Sequence, residues 1–108
     1  TTGPTEQGIM PATGSLIAPV EIATGKKAYF IGKPNPLMLR HALNRIECHS
    51  SDIALVGDRM DTDIVAGIES NIDTVLVLSG VTAKEDIEKF PYRPKYIFSG
   101  VGELVKNL

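Results

Sequence analysis

The residues best suited to chemistry stand in one short run, Ile53-Ala-Leu-Val-Gly-Asp-Arg-Met-Asp-Thr-Asp63. A wholly apolar stretch meets a glycine, and three carboxylates, Asp58, Asp61 and Asp63, then crowd what reads as a helix start. In open α/β sheets ligands bind where strand C-termini meet helix N-termini, which is the edge where such charges are useful. Carboxylates this dense repel one another unless a cation or a basic partner offsets them. Lys33 is the matching base, held between Gly32 and Pro34 after a β-prone run and before another helix start. An ammonium there neutralises a phosphoryl group in transit. Asp58 offers a carboxylate oxygen to Mg²⁺, a cation that takes few protein carboxylates and keeps waters and phosphate oxygens. These residues describe part of a magnesium and phosphate site.

Each assignment has a plainer rival. Asp58 and Asp61 also suit a helix N-terminus, where acidic side chains are favourable. The full Gly57-Asp58-x-x-x-x-Asp63 pattern is what favours chemistry over capping. Asp61 is assigned mainly to capping, and Asp63 to orienting Lys33 or a metal-bound water. An EF-hand is excluded, because counting from Asp58 or Asp61 finds neither the glycine at position 6 nor the glutamate at position 12. Most lysines are solvated surface residues; the placement of Lys33 argues otherwise. His41 and His49 have no acidic or cysteine neighbours at ligand spacing and read as surface residues. Cys48 reads as a buried or half-buried filler, with nothing local to activate its thiol. Lys84/Glu88 and Glu85/Lys89 read as solvated i,i+4 helix pairs.

Strand-like and helix-like segments alternate along the chain. Ser15 to Thr24 reads as a helix with Leu16, Ile17 and Val20 on one face, ended by Gly25. Ala28 to Ile31 is a β-prone run. Asn35 then caps a helix with Pro36 in its first position, and Leu39, Ala42, Leu43 and Ile46 follow the i, i+3, i+4, i+7 spacing. Ile53 to Val56 reads as a buried strand. Thr62 to Ser70 reads as a helix with Ile64, Val65 and Ile68 inward, and Thr74 to Leu78 as a second buried strand. Thr82 to Glu85 has the form of a capping box opening a helix that Pro91 stops. Tyr96 to Phe98 is a last strand, and Ser99 caps a terminal helix with Leu104, Val105 and Leu108 inward. Strands apolar on every residue and separated by helices predict an α/β fold with a covered parallel sheet and right-handed crossovers.

Composition narrows the partners. The 108 residues, 43% hydrophobic and 22% charged, fit one ordinary soluble domain. A net charge of −2 argues against nucleic acid or an anionic membrane, both of which select basic surfaces. No apolar run approaches the roughly 18 residues of a membrane span, and no signal peptide is expected. The single Cys48 forms no internal disulfide, which favours the cytoplasm. Residues 1–12 look loop-like and open without methionine, as a fragment would.

Gly32-Lys-Pro-Asn-Pro36, Gly57-Asp-Arg-Met-Asp-Thr-Asp63, Ala66-Gly67, Thr74-Val-Leu-Val-Leu-Ser-Gly-Val-Thr82 and Pro91-Tyr-Arg-Pro94 occur in that order. From about Ile9 onward they resemble the NagD-like, nitrophenyl-phosphatase-like branch of the haloacid dehalogenase superfamily. The resemblance implies a Rossmann-like core with a mobile cap, and Mg²⁺-dependent hydrolysis of small phosphate monoesters such as sugar phosphates, nucleotides or nitrophenyl phosphate. It makes Lys33 the lysine that stabilises nucleophile and phosphate, Asp58 the Mg²⁺ ligand and Asp63 the supporting acid. The family's nucleophile lies in an Asp-x-Asp motif after an N-terminal strand, and no strand-like run here is followed by one; Asp61-Thr-Asp63 belongs to the later motif. The chain is therefore expected to be the C-terminal half of such a core, residues 13–108, with residues 1–12 returning from a cap. Alone it is expected to be inactive, and to associate with its missing half or with another copy. Two other classes stay open at this stage. One is a non-catalytic α/β module binding Mg²⁺, phosphate or a partner protein; the other is a response-regulator-like phosphoacceptor, which lacks its paired acids on an early strand.

Overall fold

A computed structural model describes residues 2–5 and 8–107. The chain divides into two compact units, Thr1–Phe30 and Ile31–Leu108. In the first, β1 (Thr2–Thr5) and β2 (Gly8–Pro11) pair antiparallel, with Gly3 opposite Met10, where the sequence had read only loop. Helix α1 (Thr13–Thr24) follows and ends, as expected, on Gly25 in the left-handed conformation at φ 69°. Its apolar face is not buried, and Leu16 and Val20 stay exposed.

The second unit holds α2 (Pro36–Ile46), β3 (Ala54–Gly57), α3 (Val65–Glu69), β4 (Asp73–Val77), β5 (Tyr96–Phe98) and α4 (Val101–Lys106). The three strands form one parallel sheet in the order β3-β4-β5, with Val56 opposite Val75 and Leu76 opposite Ile97. Parallel neighbours need crossovers, and each pair is joined by a connection containing helical turns. The α/β class read from the sequence is the fold observed.

The core lies on β4. Leu76, Met60, Ile64 and Ile87 form a buried cluster, with Leu78, Phe90 and Tyr92 packed against it. β4 is buried from Thr74 to Val77 because it has a strand on both sides. β3, expected to be equally buried, is an edge strand, and Val56 is 39% exposed. Ala28 to Ile31 forms no strand. A β-prone run becomes a strand only by joining a sheet ladder, and among the described residues no strand is ladder-bonded to this one.

Several local expectations shift by a residue or a helix type. The helix expected from Thr82 is a 3₁₀ turn, Lys84–Lys89, in which the Asp86 carboxylate accepts the Ala83 N–H at 3.4 Å. Residues three apart eclipse in that geometry. Lys89 accordingly pairs with Asp86, three residues back, while Glu88 pairs with Arg93 beyond the turn, in place of the i,i+4 pairs. Ile68 is exposed, and Ala66 and Gly67 are the buried residues of α3. Val105 also faces solvent, and Leu108 lies outside the described residues. Cys48 is exposed, not a filler. Among the described residues no helix is long and apolar enough to cross a membrane.

Candidate active site

Lys33 sits in the turn that precedes α2, closed by the Asn35 N–H donating to the Gly32 carbonyl at 3.1 Å. The Lys33–Pro34 peptide is cis. Asn35 then caps α2 as the sequence predicts, its side-chain oxygen accepting the Leu37 N–H at 3.0 Å. Lys33 is thus fixed by a helix start alone, without the strand expected before it.

After β3 the chain does not enter an ordinary α-helix. Residues Met60–Ile64 form a π-turn, with Ile64 N–H reaching the Arg59 carbonyl at 3.1 Å and Val65 N–H reaching that of Met60. Such wide turns often mark functional sites. Here the turn folds the Asp63 carboxylate back over the end of β3. The approach is close enough to require glycine, since a Cβ on Gly57 would lie 2.3 Å from the Asp63 Cβ.

The Asp63 side chain is 6% exposed, and both its oxygens are engaged. One receives the Lys33 ammonium. The other accepts the backbone N–H groups of Asp58 at 3.3 Å and Arg59 at 3.2 Å. A buried carboxylate is costly unless paired and hydrogen-bonded, and these three donors meet that need. The Lys33 side chain is 41% exposed, so its ammonium is held by Asp63 and still open to a ligand. Asp63 therefore joins Lys33 to the Asp58 backbone, which sequence spacing alone leaves 25 positions away.

Asp58 points its carboxylate elsewhere. Its Oδ2 accepts the Val81 N–H at 2.9 Å, and its carbonyl accepts the Thr82 N–H at 3.1 Å. Oδ1 has no hydrogen bond among the described residues. Those residues contain no cluster of three or more His, Cys, Asp or Glu that could hold a metal unaided. One hard oxygen beside an open edge does fit Mg²⁺, which is commonly held by one or two carboxylates with waters and phosphate oxygens completing its shell.

Asp61 does not cap. The turn opens at Met60, two residues before the helix start expected at Thr62, and Asp61 instead takes a forked pair from Arg59, Nε to Oδ1 at 2.9 Å and Nη2 to Oδ2 at 2.8 Å. The hydrogen bond from Arg59 holds the Asp61 carboxyl below the usual carboxylate range, and Asp61 in turn raises the guanidinium.

From the sequence, Phe90-Pro-Tyr-Arg-Pro94 reads as a packed loop, or as one whose exposed aromatic serves a dimer, and neither reading links Tyr92 to the site. Its hydroxyl donates to the Met60 carbonyl at 2.9 Å, bracing the π-turn from 32 residues away, and no local sequence signal marks that contact. Burial, and then the charge of Asp61, pushes the Tyr92 hydroxyl above its ordinary value. A raised value means stability present at neutral pH and lost as pH climbs beyond the unfolded value of about 10. Tyr92→Phe is expected to cost about 1 kcal/mol, since the Met60 carbonyl keeps its Val65 donor. Urea midpoints should show this deficit at neutral pH and a narrowing gap in alkali; a gap independent of pH would deny the hydroxyl that role.

The fold and these motifs define a haloacid-dehalogenase-type core. The HAD-hydrolase-like family matches residues 30–104, and the chain belongs to that family. Within it, the chain is 48% identical over 103 residues to dihydroxyacetone phosphatase of Corynebacterium glutamicum, covering 95% of this chain and 38% of that protein. It is 43% identical over 98 residues to the ribonucleotide monophosphatase NagD of Escherichia coli, covering 91% and 39%. Among solved structures it superimposes on a p-nitrophenyl phosphatase from Archaeoglobus fulgidus with a TM-score of 0.86 and 36% identity, covering 99% of this chain and 43% of that one. The chain thus spans about two fifths of the length of these relatives.

Proposed function

We propose that the polypeptide containing this chain is a Mg²⁺-dependent phosphatase of small phosphate monoesters, of the sugar-phosphate, nucleotide or nitrophenyl-phosphate type. The observation that supports it most is the meeting of Lys33, Asp63 and the Asp58 backbone at one end of β3, where Asp63 holds a lysine whose side chain is 41% exposed and Asp58 has one carboxylate oxygen without a hydrogen bond among the described residues. The activities for which the relatives are named point the same way.

In this mechanism an aspartate outside these 108 residues attacks phosphorus, the alkoxide leaves, and water then cleaves the aspartyl-phosphate. Asp58 would hold Mg²⁺, which supplies charge neutralisation for the phosphate oxygens. Lys33 binds the phosphoryl group and offsets its charge during both transfers. Asp63 keeps that ammonium aimed and keeps the Asp58–Arg59 backbone in place. The mechanism also assigns the open edge of β3 to a further strand, from the rest of the polypeptide or from a second copy. The unpaired thiol of Cys48 accords with work in the cytoplasm.

Steady-state assays of the full-length protein with nitrophenyl phosphate, sugar phosphates and nucleotides test this directly. Asp58→Asn is expected to raise the Mg²⁺ concentration for half-activation by about tenfold or more, because a neutral amide is a poorer ligand for a hard cation. An unchanged magnesium response would remove Asp58 from the metal site.

A further inference from the structure

The loop after β4 grips Asp58 twice, and nothing in the acid-rich motif itself explains why. Val81 N–H holds the side-chain Oδ2 at 2.9 Å, and Thr82 N–H holds the main-chain oxygen at 3.1 Å. Thr82 is buried, which anchors that end of the loop. The loop passes so near Asp58 that position 80 has no room for a side chain. A Cβ on Gly80 would lie 2.1 Å from the Asp58 Oδ2, 2.5 Å from its Cβ and 2.6 Å from its Cγ. An overlap that reaches Cβ and Cγ cannot be relieved by swinging the carboxylate tip alone. Backbone donor and glycine surface together fix the Asp58 rotamer and occupy one of its two oxygens.

We propose that the Gly80-Val81 segment is a positioning element for the metal ligand, presenting Asp58 with Oδ1 alone free so that it binds Mg²⁺ through a single oxygen. This inference rests on the proposed magnesium site and extends it to the backbone of the loop after β4. Mg²⁺ demands near-octahedral geometry and tolerates poorly placed ligands badly. Partners that orient a metal ligand are commonly worth ten- to a hundredfold in affinity.

The test is calorimetric Mg²⁺ binding by the full-length protein. Gly80→Ala is expected to weaken binding by about 10–100-fold, with excess Mg²⁺ restoring turnover. Gly102→Ala, at a position where a Cβ meets nothing within 4 Å, serves as the control and should bind normally. A second measurement needs no variant. With ¹⁵N-valine labelling of the wild-type protein, the Val81 amide resonance should move during a Mg²⁺ titration with the calorimetric dissociation constant. Wild-type binding with equal affinity in Gly80→Ala, or a Val81 amide indifferent to Mg²⁺, overturns the inference and leaves the magnesium site standing. Absence of Mg²⁺ binding by the wild-type protein overturns the site and the inference together.

Discussion

Lys33→Ala in the full-length protein is expected to lower kcat by about 10²–10³-fold, the loss typical of removing one preorganised donor to a developing charge. Phosphoryl transfer leaves the protein little covalent work beyond the nucleophile, so positioning and charge stabilisation carry the rate. Asp63 holds the Lys33 ammonium in place, and the Lys33 side chain is 41% exposed, open to a ligand. KM should change less than kcat, since the charge it opposes is greatest during transfer. The variant also leaves Asp63 buried with only two backbone donors, and some stability will be lost with the activity. That loss should fall short of the roughly 3–5 kcal/mol seen for fully buried pairs, because the lysine end is solvated. Steady-state kinetics at saturating Mg²⁺, beside a urea curve, separate the two effects. Turnover at the wild-type rate would exclude Lys33 from the transfer step.

The largest stability effect is expected at Leu76. It is 0% exposed at the centre of β4, paired on both sides and packed on Met60, Ile64 and Ile87. Leu76→Ala should cost about 3–5 kcal/mol, the lost transfer energy plus the cavity that a sheet centre cannot close. Strand neighbours hold the backbone in place, so relaxation into the void is limited. The same cluster contains Met60 and Ile64, the first and last residues of the π-turn that carries Asp63. Activity per folded molecule should therefore fall as well. The urea midpoint of the full-length protein gives the first quantity, and kcat normalised to folded protein the second. A midpoint unmoved by the substitution would mean that this core does not limit stability.

Core and site are joined through one turn. Met60 is buried as a core residue, yet its carbonyl takes Tyr92, and three residues later Asp63 holds Lys33. Mutations at Tyr92 or Leu76 should thus reach the site without touching it, through the same π-turn.

The sequence by itself determined the class of fold, the helix started by Asn35 and Pro36, the β4 and β5 strands, and the family that the Lys33, Asp58 and Asp63 motifs identify. Those features are local. Apolar runs, capping residues and glycine-acid spacings write themselves into consecutive positions, where periodicity and residue type suffice. Tertiary structure decided which strand is central. β3 and β4 are equally apolar, and only the number of neighbours separates an edge from a core strand. It likewise kept Ala28 to Ile31 out of the described sheets and moved Asp61 from helix cap to partner of Arg59. The decisive contacts of the site are also long-range: Lys33 with Asp63, Tyr92 with Met60, and Val81 with Asp58 are separated by 30, 32 and 23 positions. A hydrogen bond or a Cβ clash depends on distances between segments brought together by folding. No pattern along one segment encodes such a distance, which is why the contacts of Gly80 and Tyr92 emerge only once the chain is folded.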